Sequence, residues 1–166
     1  AEVPDALVVH RLDQATSGVL LFGRGAAAQR ALSMAFAERR VAKRYEAIVH
    51  GLVGDDDGEI DLPLLTDWPN RPRQKVDREQ GKPSLTRWRV LSRDAAAKTT
   101  RLQLEPVTGR SHQLRVHLAA IGHAIVGDTL YAHAATEPRL MLHACELRLP
   151  HPRDGRTLAI VSSLPF

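Results

Sequence analysis

The sequence predicts an α+β fold, and three features carry that prediction. Short stretches with period-two alternation of apolar residues recur along the chain, as in YEAIV at residues 45–49 and LTRWRVL at residues 85–91. Only two stretches have the length and apolar spacing of helices, one at residues 26–40 and one ending at Gly122. Between them, prolines at 63, 69, 72 and 83 exclude a long helix from residues 61–83, which read as an extended arm or long loop.

The elements follow in order. Apolar residues 7–9 and 19–22 read as two strands flanking HRLDQATSG at residues 10–18. That polar block sets the acid Asp13 beside His10 and Arg11, and loops on rigid scaffolds tend to carry function. The ordinary alternative is a turn in which Asp13 and Thr16 bond their own backbone. Residues 26–40, AAAQRALSMAFAERR, are strong helix formers with Ala28, Leu32 and Phe36 on one stripe and arginines at the C-terminal end. In the strand at 45–49, Tyr45, Ala47 and Val49 share a side. Residues 55–58 form an acidic turn; residues 85–91 form a half-buried strand with Arg87 and Arg89 outward, and residues 101–105 form another after the DAAAK turn. Ser111 or Thr108 can cap the second helix, which carries Leu114, Leu118 and Ile121 on one face. Arg115 stands at the edge of that stripe, where partial burial obliges its guanidinium to find an acceptor. Strands at 140–149 and 157–162, joined by a turn at 151–155, close the chain.

Composition narrows the class. A chain of 166 residues, 43% hydrophobic and 25% charged, is one ordinary globular domain. No apolar run reaches the roughly 18 residues of a membrane span, nothing has the form of a secretion leader, and Cys145 has no partner for a disulfide. The expectation is a cytoplasmic monomer that touches no membrane. The formal charge of +4 is concentrated: Arg71, Arg73, Lys75, Arg78, Lys82, Arg87, Arg89 and Arg93 face only Asp77 and Glu79 between positions 68 and 93. With Trp68 among them, and a second cluster at Arg39, Arg40, Lys43 and Arg44, a surface for nucleic acid is expected. His112 and His117 are five apart, about 140° round a helix, so they do not share a face as metal ligands, and no zinc spacing occurs elsewhere. No nucleotide-cradling glycine motif is present either.

HRLDQATSG resembles the signature of the RluA family of pseudouridine synthases. A second block, LEPVTGRSHQLRVHLAAIGHAIVGDTLY at residues 104–131, and a third, RLMLHACEL at residues 139–147, match that family in order. Residues 61–76, DLPLLTDWPNRPRQKV, are similar to a narrower subgroup that modifies both a 23S ribosomal RNA hairpin and a tRNA anticodon stem-loop. The resemblance implies a mixed, mainly antiparallel sheet with flanking helices and a central cleft, and an RNA-modifying isomerase needing no cofactor or metal. It implies catalysis by Asp13, with Arg115 paired to it and Tyr45 against the target base. It also implies that Arg11 takes the place of a flipped nucleotide, with His10, Arg71, Arg73 and Lys75 on the RNA-binding surface. One catalytic domain is expected over residues 1–166, short of the Lys-Pro segment that precedes HRLD in the family. Ala124 stands where the family usually has proline.

Forming pseudouridine means breaking a C–N glycosidic bond, turning the uracil, joining its C5 to ribose C1′ and removing the C5 proton. An ionised carboxylate can attack ribose C1′ or uracil C6, or take a proton from the sugar, and the sequence does not choose among these. A non-catalytic RNA-binding module is the competing expectation. A two-carboxylate glycosidase is a weaker one, since Asp128 is the only other acid in a matching block that could serve and reads as structural.

Overall fold

The computed structural model describes residues 3–132 and 137–166. Strands β1 (Ala6–Val8), β2 (Ser17–Gly18) and β3 (Phe22–Arg24) lead into helix α1 (Gly25–Ala37) and strand β4 (Ala42–His50). Next come β5 (Asp57–Asp61), the hairpin β6 (Leu64–Thr66) and β7 (Gln74–Val76), and the long strands β8 (Leu85–Asp94) and β9 (Thr99–Pro106). Helix α2 (Gln113–Ala120) and strands β10 (Leu142–Pro150) and β11 (Thr157–Val161) complete the set. The central sheet has seven strands in the order β11-β10-β4-β9-β8-β5, antiparallel throughout, with β2 added in parallel to β10. The expected mixed, mainly antiparallel sheet with two helices is the fold observed.

Register decides which side of the sheet is covered. Directly opposed residues share a face, so Tyr45 and Ala47 of β4 stand with Leu104 and Leu102 of β9, and these with Trp88 and Val90 of β8. On β10, Leu142 and Ala144 oppose Ala47 and Tyr45, and after a bulge at Cys145 Leu147 opposes Lys43. The extra residue shifts the alternation by one, so Leu142, Ala144, Leu147 and Leu149 all lie on one face. Both helices pack there. Leu114 and Leu118 of α2 cover Ala47, Leu102, Leu104 and Leu142, while Leu32 and Ala35 of α1 cover Leu147 and Leu149. Each fully buried leucine contributes about 1.5–3 kcal/mol. The opposite face is polar, with Arg44, Glu46, Arg101 and Glu146 in ion pairs. Because α1 and α2 cover neighbouring parts of the same face, a cleft opens between them.

Several expected elements are reshaped by tertiary contacts. Residues 61–83 are not a loose arm: β6 and β7 pair from Leu64↔Val76 to Thr66↔Gln74, around a 3-10 turn at Trp68–Asn70. Strand β8 runs three residues past residue 91, and β5 takes up part of the acidic turn. Neither Thr108 nor Ser111 caps α2; the residue before the helix is His112, in left-handed conformation with φ 53°. The buried Gln113 amide does the capping loop's work instead, accepting from Thr108 Oγ1 at 2.7 Å and Arg110 N at 3.0 Å and donating to Leu85 O at 2.9 Å.

The expected strand at 19–22 is also broken, because β2 must reach β10. Val19 N–H donates to Ala144 O at 2.9 Å, and Gly18 lies against Ala144 with φ 115°. A Cβ at Gly18 would fall 2.2 Å from Ala144 O, so this contact admits glycine alone. Gly18→Ala is therefore expected to destabilise the domain by about 3 kcal/mol, lowering Tm by about 6–12 °C in a thermal melt.

Candidate active site

A cavity of about 530 Å³ occupies the cleft, lined by the β1–β2 loop, the end of α1, strand β4 and the turn entering α2. Asp13 is the single carboxylate among its described lining residues. Its loop is closed by backbone, Thr16 N–H donating to Asp13 O at 2.9 Å, and anchored to β10 by Ser17, whose Oγ lies 2.8 Å from His143 Nδ1. Among the described residues the Asp13 carboxylate makes no hydrogen bond to its own loop, so the ordinary turn reading does not describe it. The side chain keeps 20% of its surface exposed, toward the cavity.

Arg115 is almost fully buried at 5% exposure, as its place at the edge of the apolar stripe suggested, but its main partner differs from the expected one. Nε and Nη2 donate to Asp128 Oδ2 and Oδ1 at 2.8 and 2.7 Å, a bidentate pair. Nη1 is left pointing at Asp13 Oδ2, 3.9 Å away. The guanidinium is thus shared, strongly with Asp128 and at longer range with Asp13. Burial alone would raise the Asp128 pKa, but the Arg115 hydrogen bond, Leu130 N–H and Tyr131 N–H outweigh it and hold the carboxyl below its ordinary value.

Tyr45 and Lys43 stand side by side on β4, facing the cavity. Burial, then the charge of Asp13, pushes the Tyr45 phenol up to about 12. Burial, then Arg39, brings Lys43 down to about 8, its Nζ donating to Thr108 O at 3.0 Å. Arg11 lines the mouth, exposed and without an ion pair among the described residues. His10 is held differently. Its Nε2 accepts Leu21 N–H at 2.9 Å, its ring stacks on Phe36 of α1 at 4.6 Å, and burial, then Lys43, lowers its pKa.

The remaining predicted residues lie on the β6–β7 hairpin, outside the cavity. Arg71 sits 4.1 Å over the ring of Trp68, itself 63% exposed, and Arg73 sits 5.4 Å over Tyr131. Lys75 pairs with Asp77 at 3.3 Å. Tyr131 links this hairpin to the cleft, for its Oη accepts Gln74 N–H at 2.8 Å and lies 2.7 Å from His112 Nδ1. Neither His112 nor Tyr131 stands out in the sequence as a site residue. Both lie in the 104–131 block, but spacing raises His112 only as a metal ligand. His117, its nominal companion, is wholly buried between Thr86 and Leu62 O.

The arrangement offers one carboxylate, a nearby guanidinium, a tyrosine and a rim of cations around a space fit for a nucleobase, the equipment of an enzyme acting on a polyanion. Comparison with known proteins agrees. The family of RNA pseudouridylate synthases matches residues 1–120. The chain is 52% identical over 157 residues to the dual-specificity RNA pseudouridine synthase RluA of Yersinia pestis, covering 93% of this chain and 76% of that protein. Against RluA of Escherichia coli (strain K12) the identity is 48% over 168 residues, covering 99% and 76%. Among solved structures, human RNA Pseudouridylate Synthase Domain Containing 1 superposes with a TM-score of 0.87 at 34% identity, covering 98% of this chain and 71% of that one. The chain belongs to the RNA pseudouridylate synthase family and is an RNA pseudouridine synthase, an isomerase.

The two titrating neighbours on β4 give a pH signature. Lys43 sheds its proton near 8 when folded and near its ordinary 10.5 when unfolded, so the unfolded chain binds more protons between these values and stability rises with pH there. Tyr45 keeps its proton to about 12 when folded and loses it near 10 when unfolded, so above 10 its contribution favours stability at lower pH. Urea denaturation of Lys43→Met should lack the wild-type gain between pH 8 and 10 while retaining the loss above it.

Proposed function

We propose that Asp13 is the catalytic carboxylate of this pseudouridine synthase, acting on a uridine flipped out of structured RNA. The observation that carries the reading is the placement of Asp13: one carboxylate in a cleft between two helices, 3.9 Å from a guanidinium that is held by another acid. Arg115 sets a positive charge beside Asp13, the carboxylate that attacks or removes a proton. Tyr45 stacks on the extruded uracil; protonated up to about 12, it can relay the C5 proton only by accepting one as it gives its own away.

A stacked base cannot enter the cleft, so extrusion comes first and costs a few kcal/mol. Arg11 stands beside Asp13 at the mouth, free of other partners among the described residues, and its planar cation can stack and bond phosphate in the vacated position. Trp68, Arg71, Arg73 and Lys75 offer an aromatic and cationic hairpin to the RNA beyond the target, while His10 supports the loop from behind. The substrates are taken to be those of the subgroup, a tRNA anticodon stem-loop and a 23S ribosomal RNA hairpin, met by a monomer in the cytoplasm. The dual-specificity relatives support that reading.

RNA carrying 5-tritiated uridine should release tritium to water when treated with the enzyme, and Asp13→Asn should abolish the release; normal turnover by that variant would overturn the assignment. Arg11→Ala should slow release from a stem-loop far more than from an unstructured strand, with RNA binding at low salt little changed.

A further inference from the structure

Asp13 has a second neighbour besides Arg115. Nε2 of His112 lies 4.0 Å from Asp13 Oδ1, on the oxygen that Arg115 does not face. We propose that His112 is a positioning residue, a neutral imidazole whose Nε2–H holds one oxygen of Asp13 while Arg115 holds the other. The proposal rests on the reading of Asp13 as the catalytic carboxylate.

The proton's location follows from Tyr131. Its hydroxyl oxygen accepts Gln74 N–H at 2.8 Å, and the only described acceptor facing its own proton is His112 Nδ1 at 2.7 Å. The hydroxyl therefore donates to Nδ1, which leaves the hydrogen of a neutral ring on Nε2, aimed at Asp13. Burial, the largest influence, lowers the His112 pKa; Asp13 and Asp128 push it up, Arg115 and Arg11 push it down, and the net shift is downward. A neutral ring is the form that can take the Tyr131 proton on one nitrogen and offer its own from the other.

The ring is also held still. His112 has the left-handed backbone that starts α2, Gln113 clamps the loop before it, and Tyr131 meets it edge-on at 5.7 Å. Both distances to Asp13 exceed a hydrogen bond by about 1 Å, as catalytic contacts often do before substrate closes the site. The same chain of bonds gives the hairpin a route to the chemistry: Gln74, between the RNA-facing Arg73 and Lys75, is two hydrogen bonds from the ring beside Asp13. RNA that settles the hairpin would thereby set the orientation of the carboxylate.

Two substitutions separate this from a merely structural role. His112→Asn tolerates the left-handed backbone and places an amide where Nδ1 stood, but cannot reach Asp13; His112→Gln extends an amide N–H to the position of Nε2. With enzyme in excess over a tritiated stem-loop, His112→Asn should slow the single turnover by about 10–100-fold while its RNA Kd stays within about twofold, and His112→Gln should recover most of the rate. A wild-type rate for His112→Asn would overturn the proposal, as would equal losses in both variants or a loss of binding that accounts for the loss of rate. Asp13→Asn, run alongside, distinguishes the two failures. If it is inactive while His112→Asn is unimpaired, only the role of His112 falls; if it turns over normally, the reading of Asp13 falls first.

Discussion

Arg115 and Asp128 meet with two parallel hydrogen bonds in a place where neither is solvated, and the geometry of the cleft descends from that contact. Two ions withdrawn from water are tolerable only when each satisfies the other, and loss of one would strand the second at a cost of about 3–5 kcal/mol. Asp128 does more than neutralise. Its Oδ1 also accepts Leu130 N–H and Tyr131 N–H, so the turn presenting Tyr131 is built on the same carboxylate that aims the guanidinium. Gly127 makes this possible with φ 76°, where a Cβ would meet Arg139 O at 1.8 Å. One acid thereby orients both a cation and a phenol toward the cleft without lining it.

Rigidity is distributed unevenly about the site. Behind Asp13 the loop is tied to β10 by Ser17, Gly18 and Val19 and to α1 through His10 and Phe36, so the carboxylate's backbone has little freedom. In front of it the cations are exposed and the cavity is open. A stiff back and an adaptable mouth suit a substrate that must first surrender its own stacked structure: the loop that carries Asp13 keeps its place while the RNA rearranges in front of it.

Much of this was legible in the sequence. Period-two alternation located β4 and β8, and the alanine-rich stretch located α1, because a half-buried element reports its covered face through its side-chain period. Asp13 and Arg115 converge from segments a hundred residues apart, which spacing alone cannot reveal but ordered motif blocks can; Tyr45 joins them from a strand outside those blocks. What escaped was non-local. Asp128 takes the larger share of Arg115 because a tight turn brings it beside α2, and a residue already satisfied by its own loop reads in sequence as merely structural. The hairpin at β6–β7 escaped because its prolines argue against helix without saying what replaces it. His112 escaped because helical spacing groups only residues that share a helical face, whereas this residue precedes the helix in a conformation that no period describes.

The bulge at Cys145 carries one last consequence. Through its presence β10 reverses parity midway, and a strand that would otherwise show alternate sides to α2 and α1 shows both the same side. Were Cys145 an ordinary rung of the ladder, with β10 and β4 paired one for one, Leu147 and Leu149 would turn to the far surface, taking the first helix with them. Two helices on opposite faces enclose nothing. The hollow between the two helices is, in that sense, the product of an uneven count along one strand.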